Sequence, residues 1–198
     1  MTRGGAYWIS MLVVSAVACV SRPAVAAEFT VDPVHSNVIF KIKNRDVSYV
    51  YGRFNDISGT ITTDKPQNPT SVEVKVELDA KSVDTNSKER DAKLKDTDFL
   101  NTKKNAKITF EGKTTKQLEG GKFELKGELN LHGVKKELSV ILEQTGSKRV
   151  GPAFRFGAQC TFTIKRSDYG MDTNLADIAD EVTVMVNIEG EYKLPPIG

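Results

Sequence analysis

An all-β domain of seven or eight antiparallel strands is what the 198-residue sequence predicts, on three observations. From residue 36 onward, apolar and polar residues alternate with a period of two, the mark of strands with one buried and one wet face. Gly, Asn and Pro clusters that make turns separate the alternating runs. Two of the runs, Ala153 to Lys165 and Glu181 to Lys193, are long. Alternation alone fits a two-sheet sandwich or a closed barrel, but long strands left at a sheet edge invite aggregation, which favours closure.

The strands follow in order. Val38, Phe40 and Ile42 alternate with Asn37, Lys41 and Lys43, and Val72, Val74, Val76 and Leu78 alternate with Glu73, Lys75, Glu77 and Asp79. Lys65-Pro66-Gln67-Asn68-Pro69 cannot continue a ladder and is a loop. The segment from Lys88 to Leu100 lacks alternation and places Leu94 near Phe99 and Leu100, so a short helix is expected to cross one end of the sheet. Ile108 and Phe110 follow, then Phe123, Leu125, Leu129 and Leu131, with Gly120-Gly121 and His132-Gly133 at hairpin positions that need a positive φ. Leu138, Val140 and Leu142 form the next run. Phe154, Phe156, Ala158, Cys160, Phe162 and Ile164 make one long apolar face, and Val182, Val184, Val186, Ile188 and Tyr192 close the set.

The N-terminus is different in kind. Arg3, an apolar run from Ala6 to Val20, and the small residues Ala24 to Ala27 have the order of a secretory signal peptide, too short in its apolar part for a comfortable membrane span. Residues 1–27 are therefore expected to be removed, and residues 28–198 to form one domain in the periplasm or outside the cell. Ala16-Val17-Ala18-Cys19 only partly resembles a lipoprotein box, because Ala16 stands where Leu is usual; a lipid anchor at Cys19 is the lesser expectation.

Removing the leader takes away Arg3, Arg22, Trp8 and Cys19, leaving 26 basic against 26 acidic residues, no tryptophan and Cys160 as the only thiol. An intramolecular disulfide and a four-thiolate zinc site are then excluded, a metal site would have to recruit carboxylates beside His35, His132 and one thiol, and a neutral chain gives no general attraction to nucleic acid. Asp32, His35 and Ser36 are the residue types of an acyl-transfer centre, but adjacent His and Ser on a strand face opposite ways. No Gly-x-Ser-x-Gly elbow, phosphate-binding glycine loop or His-Glu-x-x-His helix occurs. A basic excess over residues 65–136 and an acidic one over residues 168–198 keep a protein- or membrane-surface interaction module as a competing class.

Five ordered segments resemble one family. Phe29-Thr30-Val31-Asp32-Pro33-Val34-His35-Ser36 leads into the first aromatic strand; Gly52-Arg53-Phe54 precedes Ser58-Gly59-Thr60-Ile61; Ser82-Val83-Asp84-Thr85 precedes Glu89-Arg90-Asp91 and Asp98-Phe99-Leu100. Leu131-His132-Gly133-Val134-Lys135-Lys136 and Arg166-Ser167-Asp168-Tyr169-Gly170-Met171 complete the set. In this order they resemble the YceI-like, polyisoprenoid-binding lipocalin-like family. Asn44-Arg45-Asp46-Val47 stands where that family often carries a further His, so no role for a second N-terminal His carries over. The lipocalins proper carry a Gly-x-Trp near their first strand, which the mature chain lacks.

The resemblance implies a single antiparallel lipocalin-like β-barrel of about eight strands, with a short helical segment near residues 88–100. It implies non-covalent binding, storage or transport of a polyisoprenoid or similar long-chain amphiphilic lipid, with no catalytic residue, metal or cofactor. Phe40, Ile42, Phe110, Phe123, Leu125, Phe156, Phe162 and Ile188 are then expected to line the tunnel, and His35, Ser36, Arg53, Arg90 and Asp168 to hold the head group at its mouth. Gly112, Gly127, Ala158 and Gly190, on the apolar parity, either leave room for that ligand or let the strands coil around a solid core. The alternatives are a hydrolase or isoprenoid-modifying enzyme built on the His35 region, or the surface module. A homodimer and a membrane donor or acceptor protein are the partners this reading admits; nucleic acid is not.

Overall fold

The computed structural model describes Met1 and residues 26–193. Most of the expected leader, Cys19 included, lies outside the described residues. Ala27, assigned above to the leader, is the first residue of strand β1 and is buried there.

Among the described residues, eleven strands and one short α-helix follow one another. β1 is Ala27–Val31, β2 Asn37–Asn44, β3 Ser48–Phe54, β4 Ile57–Thr63, β5 Val72–Asp79 and β6 Val83–Asp84. Helix α1 is Lys88–Lys95, and then come β7 Lys107–Gln117, β8 Lys122–Leu131, β9 Val134–Val150, β10 Ala153–Lys165 and β11 Ile178–Lys193. All neighbours are antiparallel, and β1 pairs with both β4 and β11. That double pairing closes an eight-stranded ring in the order β1, β4, β5, β7, β8, β9, β10, β11. Closure disposes of the long edges that β10 and β11 would otherwise expose.

β2, β3 and β6 continue from the other half of β11: Val182 to Asn187 face β2, whereas Gly190 and Glu191 face β1. The chain breaks from β1 to β2 across Asp32–Ser36 and from β3 to β4 across Asn55–Asp56. The β8–β9 turn is made by His132 and Gly133, at φ 57° and 79°, as the His-Gly pair predicts.

Gly112, Gly127 and Gly190, on the apolar parity, make room for neighbouring protein atoms and not for a ligand. Gly112 sits opposite Gly127, and a Cβ on Gly127 would collide with the Glu111 carbonyl. A Cβ on Gly190 would press on Phe29.

Burial along the strands divides the barrel into two halves. Phe29, Ile61, Phe123 and Phe156 are at most 1% exposed and Val72 2%, and the Phe29 and Phe156 rings lie 5.7 Å apart. This end is packed solid. Further along the same inward face, Cys160, Phe162 and Ile164 on β10 and Val184 and Val186 on β11 are only half-buried, as are Phe40 and Phe110. Inward side chains that keep exposure face a space.

Helix α1 covers the hollow end without an apolar face of its own, and an eight-residue helix is marginal alone. Side-chain hydrogen bonds hold it. The Ser87 hydroxyl accepts from Arg90 N, and Asp91 Oδ1 accepts from Thr85 N at 2.8 Å and from Thr85 Oγ1 at 2.6 Å. The expected helical segment to Leu100 is shorter, because Asp96 ends the helix and turns follow to Lys104.

Candidate functional site

The space at the α1 end is a cavity of about 370 Å³, within the usual range of small-molecule sites of roughly 300–1,000 Å³. Its wall is nearly all hydrocarbon. Phe40, Ile42, Phe110, Leu125, Phe162 and Ile188 line it, as expected from their parity. Phe123 and Phe156 do not, which corrects the expectation for those two: both are 0% exposed in the packed end. Period-two alternation assigns a residue to a face and says nothing about its height along the barrel axis.

Of the five expected head-group residues, only Arg90 borders the cavity. His35 sits in the turn between β1 and β2, exposed, with Nδ1 2.8 Å from Asp32 Oδ2. Ser36 is buried, its Oγ accepting from Glu189 N at 3.0 Å and donating to Glu189 O at 3.3 Å. It therefore stitches the β1–β2 bend to β11. Arg53 faces outward, with Nε donating to Asn55 Oδ1, and the exposed Asp168 lies 3.3 Å from Lys136 Nζ. These four positions are structural or surface features, away from the cavity wall.

Asp32, His35 and Ser36 do not assemble an acyl-transfer centre. His35 reaches Asp32, but the Ser36 hydroxyl is committed to the Glu189 backbone. Asp32, His35 and Glu189 lie close enough together to suggest a cation site, yet Arg155 Nη1 already occupies it, donating to Asp32 at 2.8 Å and to Glu189 at 2.9 Å. Asp32 is held well below the usual carboxylate range by its bonds to His35 and Arg155, and His35 is raised by the same carboxylate.

Helix α1 brings charged side chains to the cavity wall. Arg90 and Lys93, one turn apart, are exposed residues that also line the cavity. Arg90 donates from Nε to Thr85 Oγ1 at 2.8 Å and from Nη2 to the Thr85 carbonyl at 2.7 Å, which fixes the plane of its guanidinium. Lys93 Nζ lies 3.0 Å from Asp98.

A second arginine was missed as a cavity residue. Arg166 is 4% exposed and lines the cavity. Its Nε donates to Ala179 O at 3.0 Å, Nη1 to Met171 O at 2.6 Å and Nη2 to Ile178 O at 2.9 Å. Burial lowers its pKa, with Asp180 and Asp172 opposing. A signal for it exists in the sequence, since Arg166 continues the inward series Phe162, Ile164 of β10. Lys93 was legible as the i+3 neighbour of Arg90.

A model of the YceI-like domain matches residues 29–190. A UPF0312 protein of Pseudomonas aeruginosa is 36% identical over 170 residues, covering 84% of this chain and 88% of its own. Among solved structures, the Campylobacter jejuni YCEI protein is 27% identical at a TM-score of 0.67, over 78% of this chain and 91% of that one. A polyisoprenoid binding domain from Saccharophagus degradans, implicated in plant cell wall breakdown, is 22% identical at a TM-score of 0.66, over 84% of this chain and 98% of that one, a likeness of fold. The ordered motifs, the eight-stranded closure and a family match spanning nearly all the described residues agree, and the chain belongs to the YceI-like domain family.

Proposed function

We propose that this protein binds a polyisoprenoid or a similar long-chain amphiphile in the hollow half of its barrel and stores or carries it, in the periplasm or outside the cell. The observation that carries this reading is the cavity itself: an apolar space of about 370 Å³ kept open between a solid aromatic end and a helix bearing charged side chains. Covering such a wall with a hydrocarbon chain is favourable by about 25 cal/mol per Å² of apolar surface removed from water, so a lipid binds with few polar contacts. The fold shared with a polyisoprenoid binding domain supports the same ligand class.

Native mass spectrometry of protein purified without added lipid tests the reading. An adduct with the mass of a long-chain lipid, displaced by added prenol, is the expected result. A protein that stays empty when a C20 or longer prenol is supplied overturns it.

A further inference from the structure

We propose that the amphiphile accepted by this cavity is anionic, ending in a phosphate or a carboxylate, and that Arg90 receives that end at the mouth. The inference rests on the lipid-binding reading and narrows it from an apolar chain to a class of head group.

The charges around the cavity all have one sign. Arg90, Lys93 and Arg166 border it, whereas no Asp or Glu does. Lys93 is partly answered by Asp98. The two arginines are not answered by any carboxylate in an ion pair among the described residues. Arg166 is bonded only to carbonyl oxygens, which satisfy its N–H groups but leave its charge uncancelled. Asp180, the acid that opposes the loss of its proton most, has its oxygens engaged by Ser167 N at 2.9 Å and Ser167 Oγ at 2.8 Å. A buried cation beside a water-poor, apolar space is costly unless an anion approaches, and the same low dielectric strengthens the attraction when one does.

Arg90 has the geometry to meet that anion. Thr85 holds two of its three guanidinium nitrogens, and Thr85 is itself held by Asp91, so the fork is fixed before any ligand arrives. Nη1 makes no hydrogen bond among the described residues, and the side chain borders the cavity at its exposed rim. A pre-oriented guanidinium with an uncommitted N–H edge suits an oxyanion, because little side-chain freedom remains to be lost on binding. Lys93 adds a second donor one turn along α1.

Matched pairs of ligands test this with the full chain after lipid removal: geranylgeranyl phosphate against geranylgeraniol, and palmitate against hexadecanol, by titration calorimetry. At least a tenfold tighter Kd for the anion in one or both pairs is expected, and the pair that shows it identifies the head group. Arg90→Gln should bring the anion to the affinity of its alcohol while the alcohol stays within twofold of its wild-type value; Arg90→Lys should keep part of the preference. Equal affinity within both pairs overturns the anionic inference while leaving lipid binding intact. A preference that survives Arg90→Gln overturns the role of Arg90. Failure of all four compounds to bind overturns the lipid reading itself, a distinct result.

Discussion

Arg155 Nη1 donates to Asp32 Oδ2 at 2.8 Å, across the seam where β1 closes the barrel on β11. Arg155 belongs to β10, and the same guanidinium reaches Glu189 at 2.9 Å and Glu191 at 2.6 Å on β11. One cation thus ties three carboxylates from both sides of the closure. Arg155→Met leaves Glu189 without its counter-charge and Asp32 and Glu191 with only His35 and Lys193. The groups are partly exposed, so solvent screens the loss, and a decrease of about 1–2 kcal/mol in unfolding free energy is expected. Urea unfolding checks it; a variant as stable as wild type would show that β1 closes by backbone pairing and Phe29 packing alone.

The same cluster sets a pH dependence. Asp32 is depressed below its ordinary 3.8, first by the hydrogen bond to His35 and then by Arg155. Its contribution to stability is therefore present above about pH 3.8 and fades as pH falls below it. His35 is raised above its ordinary 6.5 by Asp32. Its contribution is complete below pH 6.5 and is lost as pH rises through the higher folded value. The network is strongest between these limits. In NMR titration the His35 ring should have a midpoint above 6.5, falling back towards that value in Asp32→Asn and, because the ring is exposed, in high salt. A wild-type midpoint at or below 6.5 contradicts the pair.

The two halves of the barrel should respond differently to truncation. Phe123 is fully buried in the packed end, so Phe123→Ala removes a complete set of contacts and is expected to cost about 3–5 kcal/mol. Phe162 faces the cavity and is half-buried, so Phe162→Ala should cost less than half as much while altering the affinity for long-chain ligands. Paired urea and binding titrations separate the effects. Equal losses of stability would mean that the hollow end is as tightly packed as the other.

How much of this was legible in the sequence depends on what each signal measures. Alternation reports which way a side chain points, so it places Phe40, Phe110 and Phe162 in the interior together with Phe123 and Phe156. It carries no coordinate along the barrel, and the division into a solid and a hollow half follows from pairings such as Thr30 with Glu191 that join distant parts of the chain. Motif residues were harder to place. Ser36 has the chemistry of a binding group, but the bend after β1 puts its hydroxyl on the Glu189 backbone. Arg166 was visible as a charge on an apolar parity, a pattern whose meaning appears only when Met171, Ile178 and Ala179 supply the carbonyls around it.

Arg166 is expected to be a stability residue as well as a source of positive potential. Its guanidinium gathers carbonyls from Met171, Ile178 and Ala179, and so pins the connection between β10 and β11. Arg166→Met keeps the stem and leaves those oxygens without their donor, at about 1–3 kcal/mol for buried groups left unsatisfied. Faster amide exchange confined to residues 170–180 would mark the local origin, and an unchanged exchange pattern would argue against the clamp.

Cys160 offers a reporter inside the cavity. It is the only thiol among the described residues, it lines the cavity wall, and burial pushes its pKa up to about 11. Only the thiolate attacks a maleimide, and at pH 7.4 that form is roughly a few in ten thousand, so labelling of the folded protein should be slow. Unfolding in urea restores an ordinary thiol and should speed the reaction by well over tenfold. The shift also has a sign for stability: the neutral thiol costs nothing at neutral pH, and its contribution is lost only as pH rises above the ordinary 9.0. A bound hydrocarbon chain covers the sulfur and should slow labelling further in proportion to occupancy. Labelling that is slow in the native state yet indifferent to a saturating prenol would put the chain elsewhere than beside Phe162 and Val186, the cavity residues that flank Cys160 along β10 and across to β11.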